Sequence, residues 1–77
     1  MSIKVLYFAS LREEIGRATD LIEVDDAIQI SQLWTKATGR NHVPNELLVA
    51  VNQEYSDVES KVKDGDEVAF FPPVTGG

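Results

Sequence analysis

Asp64-Gly65-Asp66-Glu67-Val68-Ala69-Phe70-Phe71-Pro72-Pro73-Val74-Thr75-Gly76-Gly77 ends the sequence, and its parts differ sharply in what they permit. Asp64-Gly65-Asp66 has turn composition, and Glu67 to Phe71 is an apolar, strand-forming run. Pro72 and Pro73 fix φ and remove two amide donors, so the strand must stop at Phe71 and the chain must leave it extended. Gly76 and Gly77 carry no side chains, so this tip fits a channel too narrow for other residues. The group at the tip is an α-carboxylate. With glycine near 7% of residues, two glycines end a chain by chance in roughly 0.5% of cases.

Upstream, the other elements follow from periodicity. Ile3 to Phe8 reads as a first strand, and Thr19 to Val24 as a second, with a short connection that favours antiparallel pairing. Ser10-Leu11-Arg12-Glu13 has the spacing of a capping box for a short helix closed by Gly16. Ile30, Leu33, Trp34 and Ala37 recur at one helical face, Gly39 stands at the helix end, and Asp25 and Asp26 lie near its positive end. Trp34 is expected in the core. Residues 40–46 read as loop, and Leu47 to Val51 as a central strand covered on both faces. Asn52 to Lys63 reads as turns with one short strand at most, anchored by Tyr55, Val58 and Val62. The order strand, strand, helix, strand, strand predicts an α+β fold, one mixed sheet with a helix across one face. Residues 1–77 are expected to form one domain, with 72–77 as an extended C-terminal tail.

Composition narrows the function classes. A net charge of −6 argues against nucleic acid and suits a partner with a basic docking surface. No apolar run approaches the roughly 20 residues that cross a bilayer, and Met1 to Leu6 has no signal-peptide order, so no membrane and a cytoplasmic address are expected. There is no cysteine, which removes thiolate metal sites and Cys nucleophiles. His42 is the single histidine, read as a solvated loop residue. Asp57 with Glu59, and Asp64 with Asp66 and Glu67, lack the spacing of a calcium loop, so no metal site is expected. No phosphate-cradling loop is present, and an active site of its own is not expected.

Alternation along the last strand puts Val68 and Phe70 on one face and Phe71 on the other. Phe71 and Phe8, on a neighbouring strand, are therefore candidate partner-binding residues forming an apolar patch at the root of the tail. The alternative, both rings in the core, stays open at this point.

Three stretches together carry a family likeness: residues 3–9, residues 48–53, and residues 64–77 above all. The chain resembles the β-grasp sulfur carriers, relatives of ubiquitin, and within them the small subunits of molybdopterin synthase. The resemblance implies a mixed β-grasp sheet with one main helix. It implies that Gly77 is the reacting residue: its carboxyl is adenylated, converted to a thiocarboxylate, and gives up its sulfur to a pterin precursor. Pro72, Pro73, Val74, Thr75 and Gly76 are then the arm that delivers it. The implied partners are the large subunit of molybdopterin synthase, an adenylating enzyme of the ubiquitin-activating type, and a sulfur donor protein. No cofactor is implied on this chain, since ATP would be used by the activating enzyme. A carrier for thiamine thiazole synthesis, a ubiquitin-like protein modifier, and an interaction domain with an inert tail are the competing readings.

Overall fold

The computed structural model describes residues 1–72. The chain runs β1 (Ser2–Tyr7), α1 (Ala9–Ile15), β2 (Thr19–Glu23), β3 (Ile28–Gln29), α2 (Ile30–Thr38), β4 (Leu48–Val51), β5 (Glu54–Ser56), β6 (Lys61–Val62) and β7 (Glu67–Phe71). Five strands form one sheet in the order β2-β1-β7-β4-β5. The central pair, β1 and β7, is parallel, with Val5 opposite Val68 and Tyr7 opposite Phe70; the remaining pairs are antiparallel. With α2 laid across one face, this is a mixed β-grasp sheet, as the resemblance implied.

The face under α2 is the core. Period two along β1 buries Ile3, Val5 and Tyr7, the same period along β7 buries Val68 and Phe70, and Val49 of β4 joins them. Period 3.6 along α2 presents Ile30, Leu33, Trp34 and Ala37 to that layer, all buried as their spacing predicted. The Trp34 ring meets the Phe70 ring edge to face at 5.0 Å, and its Nε1–H donates to the His42 carbonyl at 3.0 Å. A fully enclosed indole thus keeps its one polar hydrogen satisfied.

Both helices end where glycine was expected to end them. Gly16 and Gly39 sit at φ +90° and +75°, and their amides return to the Arg12 and Thr35 carbonyls. The helix starts differ from the sequence reading. The chain turns into α1 at Ala9 with φ +52°, so Phe8 is the cap position and Ser10 already lies inside the first turn; the Ser10–Glu13 capping box does not form. A reciprocal box does form on α2, between Gln29 and Gln32, and the Ile30 and Ser31 amides donate to the Ser60 and Val58 carbonyls. Asp25 and Asp26 are separated from that helix by β3 and leave its first turn without acid.

Two other expectations need correction. Residues 52–63 hold two short strands: β5 extends the main sheet, while β6 pairs with β3 as a separate two-stranded piece, Ile28 opposite Val62. A two-residue strand is too short to show period two. β4 is an interior strand, between β7 and β5, as expected, but α2 covers only one of its faces, and Leu47 precedes it. Among the described residues, no helix is long and apolar enough to cross a membrane.

A polar clamp joins the sheet to the end of α2. The Tyr7 hydroxyl donates to Asp20 Oδ2 at 2.8 Å, and Arg17 Nε donates to the same oxygen at 2.7 Å. Arg17 Nη2 reaches the Ala37 carbonyl at 2.8 Å. Burial of the phenol, and then the hydrogen bond to the Asp20 carboxylate, push the Tyr7 pKa well above its ordinary value. A folded pKa above the unfolded one, near 10, gives stability that is complete below about pH 10 and is lost as the pH rises beyond it. Tyr7→Phe is expected to cost about 1 kcal/mol at neutral pH. In thermal melts the deficit should shrink above pH 10, and a deficit that stays constant to pH 11 would contradict this assignment.

Candidate functional site

The site is built where β7 hands over to the tail. Leu48 is the last partner of Phe71 across β4, and Pro72 follows with no amide to continue the ladder. The readings that fall on Pro73, Val74, Thr75, Gly76 and Gly77 lie outside the described residues. What the structure places is the root of the tail and the sheet face beside it.

That face is the one turned away from α2. Phe70 is fully buried on the helix side, while Phe71 is half-buried on the opposite side, as alternation along the strand predicted. Phe8 is 41% exposed and stacks on Phe71, with ring centroids 4.8 Å apart and planes within 10°. The two candidate residues are therefore brought together, and neither lies in the core. Phe8 stands just beyond β1, at the cap of α1, rather than on a strand. Its amide donates to the Phe70 carbonyl at 3.2 Å, which fixes the ring next to the last residues of β7.

Ala50 and Ala69, for which the sequence suggested no role at the site, complete the face together with Tyr55. Register places Ala69 between Leu6 and Ala50, and Ala50 beside Tyr55. The two alanines leave a mostly apolar trough lined also by Leu6, the Phe8–Phe71 stack, Tyr55, Gln53 and Glu67. Its volume is about 400 Å³. Tyr55, read as an anchor of residues 52–63, is instead 78% exposed, and its ring lies 6.4 Å from that of Phe71. Val62 is the anchor that is fully buried, and Val58 is partly so. Only the register between strands distant in sequence could have shown that Ala50, Ala69 and Tyr55 share one patch.

The β4–β5 turn that carries Gln53 is tied to the start of β7. Asn52 Nδ2 donates to Asp66 Oδ1 at 3.1 Å, and the Glu67 amide donates to Asn52 Oδ1 at 3.0 Å. The Lys63 amide, and after it the Asn52 side chain, hold the Asp66 carboxyl below the usual carboxylate range. Of the acids considered as metal ligands, Asp57 accepts from the Glu59 amide within its own turn, and Asp64 accepts from the Ser2 amide at the start of β1. Among the described residues, no group of three or more acidic or histidine side chains is placed to hold a metal ion. His42 is exposed, and its carbonyl serves Trp34. The described surface thus offers a mostly apolar trough beside the root of the tail.

Known proteins share this architecture and sequence. The ThiS family matches residues 5–77. The molybdopterin synthase sulfur carrier subunit of Haemophilus influenzae is 41% identical over 86 residues, a match that covers 97% of this chain and 99% of the relative. SAMP1 from Haloferax volcanii, in its crystal structure, has a TM-score of 0.84 at 26% identity over 100% of both chains. A chain in the protein–protein complex of subunits 1 and 2 of the molybdopterin-converting factor from Helicobacter pylori has a TM-score of 0.65 at 23% identity, again over 100% of both chains, which is a likeness of fold. With a family match spanning nearly all of its length and a relative of that identity, the chain belongs to the ThiS family, alongside the sulfur carrier subunits of molybdopterin synthase.

Proposed function

We propose that this protein is the sulfur carrier of molybdopterin synthase, with the carboxyl of Gly77 as its working group. The observation that carries the reading is that the family match runs through Gly77, the last residue of a Pro-Pro-Val-Thr-Gly-Gly tail. A free carboxylate is a poor electrophile. An ATP-dependent adenylating enzyme therefore joins it to the α-phosphate of ATP with release of pyrophosphate. A sulfur donor at the sulfide level then attacks the acyl carbon, and AMP departs with one of the former carboxylate oxygens. The product is a thiocarboxylate, –COS⁻, which stands in for the thiol that a chain without cysteine lacks. In the large subunit this sulfur displaces an oxygen leaving group from a carbon of the pterin precursor. Water then cleaves the acyl–sulfur bond, which leaves the sulfur on the pterin and returns the carboxylate. ATP, pterin and metal are bound by the partners, and the catalytic side chains are theirs.

Phe8 and Phe71 form the docking patch in this reading. A partner that receives the tip of the tail must sit close to its root, and the stacked pair with the trough beside it is an apolar patch of the kind interfaces bury. Phe71→Glu is expected to weaken binding to the large subunit at least tenfold while moving the melting temperature by only a few degrees, because Phe70 rather than Phe71 fills the core. A large loss of stability would sink the docking role. The function as a whole is tested by expressing the chain in bacteria that lack their own carrier subunit. Restored activity of a molybdenum enzyme is the expected result, and no restoration, with the chain shown to bind the host large subunit, would overturn the reading.

A second reading is favoured by the likeness to SAMP1, a small archaeal modifier protein by name: attachment of Gly77 to lysines of other proteins. Its mark is a ladder of higher-mass conjugates that disappears when Gly77 is removed.

A further inference from the structure

Val51 pairs with Glu54, so the β4–β5 hairpin closes through two residues, Asn52 and Gln53, at φ +49° and +73°. A two-residue turn with both angles positive favours Asn followed by Gly. Asn52 obeys the rule: asparagine tolerates the left-handed region, and its side chain is bonded to Asp66 and Glu67. Gln53 breaks it. Glutamine has no conformational claim on that position, and among the described residues its amide makes no hydrogen bond that would repay the strain. The side chain is exposed and lines the trough together with Phe8, Phe71, Tyr55 and Glu67. Nothing in the packing of the fold therefore accounts for a glutamine where glycine would be relaxed.

We propose that Gln53 is a recognition residue, whose carboxamide donates to and accepts from an exposed main-chain peptide group of the large subunit as that partner covers the trough. The inference rests on the proposed docking of that subunit against Phe8 and Phe71. Its chemistry suits the position. An apolar trough supplies area but little register, and a rim group that donates and accepts at once fixes the partner's orientation. A missing partner for either half of the amide leaves a peptide group unpaired at a closed interface, which is costly. The strained turn holds the side chain at the trough.

The test measures binding of the purified large subunit to the parent chain and to three variants, with a thermal melt of each. Gln53→Gly relieves the backbone and removes the amide: the melting temperature should rise by a few degrees while the dissociation constant increases about tenfold. Gln53→Glu keeps length and strain but loses the donor: the melting temperature should stay put while binding falls by a similar factor. Phe71→Glu reports on the docking face itself. If it abolishes binding while either Gln53 variant binds within twofold of the parent, the docking face stands and the role of Gln53 is overturned. A fall in melting temperature for Gln53→Gly would also overturn it, since the side chain would then be serving the fold. Parent-like binding by Phe71→Glu removes the docking reading and this inference with it.

Discussion

Replacing Trp34 by alanine leaves most of the chain unfolded at room temperature. The indole is completely enclosed, packs edge to face on Phe70 at 5.0 Å, and hands its Nε1–H to the His42 carbonyl. Truncating a buried tryptophan to alanine costs about 3–5 kcal/mol, through lost transfer energy and the cavity that remains. A core in a chain below about 80 residues supplies little more than about 3–5 kcal/mol in total. The loss and the reserve are equal in size, so the loss decides the outcome. Trp34→Phe should be milder, because it keeps part of the volume and forfeits the hydrogen bond. Far-UV circular dichroism and a urea titration check both variants, and a cooperative Trp34→Ala transition with a midpoint close to the parent's would show that the Trp34–Phe70 contact does not hold α2 to the sheet.

Removing Gly77 is expected to abolish sulfur acceptance while leaving the fold intact. In the proposed function the reacting carbon is the terminal one, and without Gly77 the arm is one residue shorter. A displacement of about 1 Å from productive geometry can cost 100-fold in rate, and a residue of extended chain spans about 3.3 Å. Loading should therefore fall below detection. The melting temperature should not move, because the core elements end at Phe71. Normal loading of the shortened chain by an active adenylating enzyme would mean that the activating partner does not measure the length of the arm.

The elements of the fold differ in how far the sequence alone reveals them. β1, β2, α2 and β7 are legible because each is long enough to show its period, as Ile30, Leu33, Trp34 and Ala37 do on one helical face. β3 and β6, two residues each, carry no period and are set by pairing with each other. The parallel neighbours β1 and β7 come from opposite ends of the chain, and no local pattern announces that adjacency. The site divides along the same line. Phe71 is legible from alternation along one strand. The trough needs Ala50, Ala69 and Tyr55 from three strands in register, and Gln53 matters only once its backbone angle is known. The start of α1 was misread because the capping-box spacing at Ser10 is a local signal, while the turn at Ala9 comes one residue earlier.

The most direct test of the central claim is the intact mass of the protein after incubation with ATP, the adenylating enzyme and a sulfur source. The expected result is a gain equal to one sulfur in place of one oxygen, confined to the C-terminal peptide and absent from a chain lacking Gly77. An unchanged mass, with an adenylating enzyme shown to form the adenylate on a known carrier, would contradict it.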